Sequence, residues 1–194
     1  ILTGIIGTLT AYIVVRHKSF TARVLDFLTM VPNTIPGIVV AVGLILAWTQ
    51  PWLPVTPYNT IWVLVLAYCC LLLPYPVRYA NAALRQIGSS LEDAARVAGA
   101  SPIIAFARIL VPLIWPSVLA AMLLVFAVAA RELVASILLA PVGTRTVAVF
   151  IWRQFEQGSV GLGMAMSTLA IAITMTIPLL VTLWMQRRGG GQIG

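Results

Sequence analysis

Few side chains in this sequence could do chemistry: its 194 residues include five acidic residues and one histidine. Two of the acids, Glu92 and Asp93, are adjacent and lie in a charged, alanine-rich segment at residues 91–112. Charge is costly inside a bilayer, so this segment is expected to face water and a protein partner. The sequence shows no phosphate-binding loop, nucleophile–base pair or metal cluster. We therefore assign no catalytic residue, no metal site and no cofactor to this chain.

The charged segment has the sequence signals of two helices joined by a sharp turn. Ser90 is predicted to cap the first helix, with Glu92 and Asp93 near the positive end of its dipole. Gly99 is predicted to end that helix in a left-handed conformation. Ser101 is predicted to cap the second helix, in which Pro102 takes the first position.

These residues resemble the cytoplasmic "EAA" loop of ABC importer permeases, which reads roughly E-A-A, three residues, G, nine residues, I-x-L-P. Asp93 stands where the family usually has Glu, with Glu92 before it, and Val111 stands where the family usually has Leu. In the family this loop docks into a groove on an ATPase subunit, which carries the ATP and magnesium. The resemblance implies the following ATPase-coupling residues: Glu92, Asp93, Ala94, Ala95, Gly99, Ala100, Ile109 and Pro112.

The composition is that of an integral membrane protein, with 61% hydrophobic and only 9% charged residues. Ordinary soluble domains carry about 25% charged residues. We predict an all-α, polytopic membrane bundle of about five spans with a cytoplasmic coupling hairpin. Residues 1–188 would form one transmembrane domain containing the coupling loop at 88–112, and residues 189–194 a flexible tail. Because the chain starts inside an apolar run, we expect at least one upstream span to be missing.

The pattern along the chain predicts where the spans begin and end. Residues 20–30 read as an amphipathic interfacial helix, and Pro32 and Pro36 should break or kink the chain after it. Residues 60–77 form a span that ends near Pro74 and Pro76. We further predict a loop at residues 49–59, one long helix at 113–139, a polar connection at 140–158 and a final span at 162–185.

Basic residues set the orientation. With the hairpin inside, nine of the twelve Lys and Arg residues fall on the cytoplasmic side and three on the outer side, as the positive-inside rule requires. The three on the outer side are Arg131, Arg145 and Arg153. Membrane orientation thus accounts for the net charge of +7, and no nucleic-acid partner is implied.

Arg131 and Glu132 are the only acid–base pair inside a predicted span. Such residues usually face a protein interior or a watery cavity, which favours a role in the substrate pathway or its gate. The alternative is that both lie near the outer interface and reach water. Sequence reasoning leaves both interpretations open.

Residues 32–44 and 131–158 resemble the permease subgroup that includes ferric-iron importers and their thiamine and phosphonate relatives. The resemblance implies a permease subunit in a bacterial inner membrane, coupled to separate ATPase subunits, with ferric iron as one candidate substrate. Its partners would be a periplasmic substrate-binding protein, a second permease half or subunit, and membrane lipid. The alternatives are a secondary transporter or channel, which needs ionisable residues near the midplane, and a membrane-embedded enzyme.

Overall fold

The computed structural model describes residues 1–17 and 19–189, and every regular element in that part of the chain is helical. The prediction of an all-α protein is therefore confirmed. In chain order the helices are α1 Leu2–Arg16, α2 Phe20–Thr34, α3 Gly37–Trp48, α4 Ile61–Leu72, α5 Pro74–Gln86, α6 Ser90–Val97, α7 Pro102–Ala105, a π-helical turn Phe106–Leu110, α8 Val111–Ala130, α9 Val134–Leu139, α10 Val147–Glu156 and α11 Val160–Gly189.

Among the described residues, two helical stretches are long and apolar enough to cross a membrane by themselves. Pro102–Ala130 has 29 residues and Val160–Met185 has 26, against the roughly 20 that a bilayer core requires. Counting the interrupted pairs α2–α3 and α4–α5 as one span each gives up to four, and α1 is a shorter apolar helix. The helical membrane protein is thus confirmed, while the number of five spans stays a prediction.

The two prolines predicted to break or kink the chain, Pro32 and Pro36, have different effects. The break at Pro36 agrees with the sequence: α2 ends at Thr34, and Pro36 precedes α3 with a non-helical ψ of 136°. The residue before a proline is pushed out of the helical region, which explains why Ile35 is not helical. Pro32, in contrast, lies inside α2, so the predicted helix at 20–30 runs on for one more turn.

The helix predicted over residues 60–77 is interrupted near its end. The helix α4 ends at Leu72, and Pro74 is the first residue of α5, which continues past Arg78 to Gln86. Proline fits the first position of a helix because no backbone N–H is needed there. The proline therefore starts a helix at this point.

The chain divides into two compact units. The first comprises Ile1–Met30 and Leu73–Met122, and α1 packs along α5 within it. A Cβ on Gly7 would lie 2.8 Å from Pro76, so glycine allows these two helices to approach closely. The core of this unit contains Ala11, Ala80, Leu84, Leu110, Ile114 and Val118.

The second unit comprises Val31–Leu72 and the described residues from Leu123 onward. Its core joins α3, α4 and α9 through Ala41, Val63, Leu64, Ala67, Ala135 and Leu139. The predicted polar connection at 140–158 is partly wrong, because it contains the ten-residue helix α10, which packs on α11. Thr146 caps α10 by accepting a hydrogen bond from the Val149 amide at 3.3 Å. A threonine followed by an apolar run is a sequence signal for the start of a helix, and it was present at Thr146.

The helix α11 runs four residues beyond the predicted span and ends at Gly189. Many of its apolar side chains are exposed in the single chain, as expected for a helix that faces lipid or another subunit. The rest of the predicted tail, residues 190–194, lies outside the described residues.

Candidate functional site

The hairpin predicted from residues 91–112 is present, and its first helix begins differently from the prediction. Ser89 precedes α6, and Ser90 is the first helical residue, so the cap predicted at Ser90 is wrong. Ser89 itself has helical φ and ψ and makes no side-chain cap bond. An N-cap hydroxyl reaches the first amides from an extended backbone, which this serine lacks. The acidic residues Glu92 and Asp93 still lie in the first turn, where the helix dipole favours them.

The turn of the hairpin matches the prediction at three positions. Gly99 has a φ of +84°, a left-handed conformation that favours glycine. The amides of Gly99 and Ala100 donate to the carbonyls of Arg96 and Ala95, each at 2.9 Å, which is the Schellman arrangement. Ser101 Oγ then accepts from the Ile104 amide at 3.4 Å, with Pro102 in the first helical position.

Glu92 points into its own unit. Its side chain is buried, and its Oε1 accepts a hydrogen bond from Arg16 Nε at 2.5 Å. Arg16 is the last residue of α1, and its Nη2 also donates to the Ile87 carbonyl at 3.2 Å, just before the hairpin. Tyr12 donates to the other oxygen of Glu92 at 3.5 Å. One carboxylate therefore fastens the first hairpin helix to the end of α1.

A second contact fastens the other side of the hairpin to the same helix. The ring of Tyr12 lies 4.6 Å from the ring of Phe106, centroid to centroid, in a tilted arrangement. Phe106 begins the π-helical turn that follows α7. Tyr12 thus contacts a residue of α6 and a residue beyond α7. We refer to Tyr12, Arg16, Glu92 and Phe106 as the anchor cluster.

Sequence reasoning missed Arg16 and Tyr12. In the sequence, Arg16 counts only as one of the nine basic residues placed on the cytoplasmic side. The same interpretation placed Arg16 and Glu92 on one side of the membrane, and an acid and a base confined to one surface are natural partners. That pairing was the available signal. Tyr12 lay inside an apolar run, and nothing in the sequence marked it.

The remaining residues predicted for coupling divide into an outward and an inward set. Asp93, Ala94, Gly99 and Pro112 are exposed, whereas Ala95 is buried and Ala100 and Ile109 are partly buried. Two apolar side chains that we had not singled out are also exposed near the turn, Val97 at 91% and Ile103 at 78%. The hairpin therefore presents an apolar tip, formed by Val97 and Ile103 on either side of Gly99.

The hairpin is joined directly to a membrane helix. The stretch Pro102–Ala130 is one helix that includes a π-helical turn, in which the Val111 amide donates to the Phe106 carbonyl. A proline ring clashes with the carbonyl four residues before it, so Pro112 is poorly accommodated by regular α-helix at this point. The wider turn just before Pro112 lets the helix continue.

The helix predicted at 113–139 is interrupted at Arg131 and Glu132. The helix α8 ends at Ala130, and α9 begins at Val134. The amides of Arg131 and Glu132 donate to carbonyls three residues back, at 3.2 Å, as at a tightened helix end. The prediction of one continuous helix was wrong because side chains here take over helical hydrogen bonds.

The side chains of Glu132, Ser136 and Tyr68 form a polar network in the second unit. Glu132 Oε1 accepts from the Ala135 amide at 3.1 Å and so caps the start of α9. Ser136 Oγ donates to the Glu132 carbonyl at 2.5 Å and also hydrogen-bonds Tyr68 Oη at 2.5 Å. Glu132 has a local structural function, and the described residues show no ion pair between it and Arg153. The gate interpretation stays a hypothesis.

Two substitutions at Glu132 separate the cap from a charge-dependent gate. Glu132→Gln keeps an oxygen acceptor, so we expect a change in melting temperature within about 1 °C. Glu132→Ala removes the acceptor and should cost about 1 kcal/mol, or roughly 3 °C. The measurement is thermal unfolding of the detergent-purified chain. A fall with Gln as large as that with Ala would contradict the cap, since charge alone would then matter.

These features define a helical membrane protein with a charged hairpin continuous with a membrane helix. Residues 4–188 match the family described as the binding-protein-dependent transport system inner membrane component, and the chain belongs to that family. The family match and the apolar helices together indicate a multi-pass protein of the bacterial inner membrane.

The chain is similar to permease proteins whose names specify three different substrates. It is 32% identical over 176 residues to the ferric transport system permease protein FbpB of Actinobacillus pleuropneumoniae, covering 91% of this chain and 25% of that protein. It is 26% identical over 157 residues to a putative 2-aminoethylphosphonate transport system permease protein PhnV of Salmonella typhimurium, covering 81% of this chain and 58% of that protein. It is 28% identical over 199 residues to the probable sulfate transport system permease protein cysT of Nephroselmis olivacea, covering 96% and 69%. The chain thus spans a quarter of the ferric relative and just over half of the phosphonate relative.

Proposed function

We propose that this chain is a permease subunit of an ATP-driven importer and receives force from a separate ATPase through its hairpin. The observation that carries the proposal is the exposed apolar tip next to Asp93. Apolar side chains exposed together on a polar hairpin are typical of a surface that another protein covers. ATP and magnesium would be held by that partner, and the chain itself would have no catalytic function.

The anchor cluster suggests how a push on the hairpin reaches the membrane helices. The second hairpin helix runs without a break into α8, so it moves as part of that helix. The first hairpin helix, α6, is held to α1 by the ion pair between Arg16 and Glu92. Displacement of the tip would therefore be passed to both helices within the first unit, which provides the mechanical link that an importer requires.

The other partners and the substrate follow from the family and its members. The complex would also contain a substrate-binding protein and a second permease half or subunit. The relatives' names specify ferric iron, 2-aminoethylphosphonate and sulfate, and ferric iron is the substrate we propose first. A secondary transporter or channel is the second candidate, but no specific observation favours it.

Association with a cognate ATPase subunit tests the proposal. We expect Val97→Asp and Ile103→Asp each to lower the amount of ATPase that co-purifies by about tenfold, because a charge would be placed in a desolvated contact. The matched control is Val142→Asp, which changes an apolar residue that is 96% exposed and lies on the loop before α10. Equal co-purification of all three variants with wild type would rule out docking at the tip.

A further inference from the structure

A polar pocket in the second unit is not used by the coupling hairpin. It lies between the end of α9, the loop that follows it, and α10, and its volume is about 400 Å³. Its polar lining includes Ser136, Thr144, Arg145 and Arg153, with Trp152 beside them. The pocket is formed wholly by residues 136–153, so it belongs to one short stretch of chain.

The charges of the pocket have one sign. Arg145 and Arg153 both line it, and no aspartate or glutamate does. Among the described residues, neither guanidinium has a hydrogen-bond or ion-pair partner. The hydroxyl of Ser136 is already engaged with Tyr68 and with the carbonyl of Glu132. The two carboxylates nearest in sequence are Glu156, which is exposed and forms no ion pair among the described residues, and Glu132, which caps α9.

These groups match the chemistry of an oxyanion. A guanidinium offers five N–H donors in a planar fork and no acceptor, and it binds carboxylate, sulfate and phosphate groups with paired hydrogen bonds. Two such forks in a pocket without acidic residues can donate to the same anion. The apolar side chains of Ile137 and Val149 on the other walls leave space for a short organic group on the anion.

We propose that this pocket binds an oxyanion through Arg145 and Arg153. The anion has two possible sources, a freely diffusing sulfate, phosphate or phosphonate group and the phosphate of a lipid headgroup. Both present the same tetrahedral oxygens to the guanidinium groups. The inference depends on the pocket alone and does not require the hairpin to dock an ATPase.

Thermal unfolding with added anions tests the site. The whole chain is purified in a sugar-based, phosphate-free detergent and titrated with sodium sulfate or sodium phosphate, against sodium chloride at matched ionic strength. A bound anion stabilises the folded state as its concentration exceeds the dissociation constant. We expect a saturable rise in melting temperature with sulfate and phosphate and none with chloride.

Substitutions then locate the site. Arg145→Gln and Arg153→Gln should each raise the apparent dissociation constant about tenfold, since each removes a charge-assisted hydrogen-bonding group. Both side chains are exposed, so the variants should fold. Arg108→Gln, which changes an exposed arginine of the π-helical turn, is the matched control and should bind like wild type. A chloride response equal to that of sulfate, or unchanged binding in both pocket variants, would overturn the proposal.

Added lipid distinguishes the two sources. If the occupant is a lipid headgroup, phosphatidylglycerol micelles should stabilise the wild-type chain more than the Arg153→Gln variant and should abolish the response to sulfate. If the occupant is a free anion, the response to sulfate should persist in the presence of the lipid. Either result supports an oxyanion site and assigns its source.

Discussion

Replacing Glu92 with glutamine is expected to lower the melting temperature of this chain by about 6 °C or more. The substitution leaves the Arg16 guanidinium, whose side chain is only 16% exposed, without its counter-charge. Removing one partner of a buried ion pair costs roughly 3 kcal/mol, because the remaining charge stays desolvated. For a chain of this length, each kcal/mol corresponds to about 2–4 °C. Arg16→Met should have an effect of similar size.

The matched control for Glu92→Gln is the same change at the next residue. Asp93 is exposed and makes no ion pair among the described residues, so Asp93→Asn should shift the melting temperature by less than about 1 °C. A second check compares Arg16→Met, Glu92→Met and the double variant that carries both changes. The double variant removes both charges, so it should be more stable than either single variant. Additive losses in the double variant would show that the two residues do not interact.

The same variants carry a functional expectation. If the ion pair holds the hairpin to α1, Glu92→Gln should weaken coupling even in those molecules that remain folded. Substrate-stimulated ATPase activity of the assembled complex, measured well below the melting temperature, should fall, while the ATPase still co-purifies. Full stimulation in a folded Glu92→Gln variant would restrict the anchor cluster to a function in stability.

The sequence predicts local features of the hairpin better than its contacts. A positive φ favours glycine and an N-cap favours Ser, Thr, Asp or Asn, so Gly99 and Ser101 were identified from residue type and spacing alone. Ser90 was assigned wrongly because two serines are adjacent, and the backbone entering the helix decides which of them precedes it. The burial of Glu92 depends on Arg16, which is 76 residues away, and no local pattern encodes that distance.

The break at Arg131 shows a second limit. Residues 113–139 are almost uniformly apolar, and periodicity gives no reason to end a helix inside such a run. At the break the Ser136 hydroxyl donates to the Glu132 carbonyl, and Tyr68, which lies 68 residues earlier, hydrogen-bonds that hydroxyl only in the folded second unit. Proline produced the opposite error at Pro74, where a residue that usually stops a helix occupies the first position of one.

Replacing Gly99 with valine is expected to abolish substrate-stimulated ATPase activity in the assembled complex while leaving the chain in the membrane. No neighbouring atom lies within 4 Å of a Cβ at this position, so the penalty is one of backbone strain and not of crowding. A β-branched residue at a φ of +84° costs about 1–3 kcal/mol, and the turn can relieve that strain only by changing the angle between α6 and α7. The apolar tip, which spans this turn, would then be misplaced relative to its partner.

Gly158 provides a closely matched control for Gly99. It has a φ of +75°, has open space around it, and closes α10 with the same two hydrogen bonds, Gly158 to Phe155 and Ser159 to Gln154. Gly158→Val should therefore lower the melting temperature by about as much as Gly99→Val, since both impose the same backbone strain. Only Gly99→Val should also lose the stimulation of ATPase activity by substrate. Equal loss of stimulation in both variants would mean that backbone strain outside the hairpin has the same effect as strain in the hairpin turn. Normal stimulation in Gly99→Val would exclude the hairpin turn from coupling.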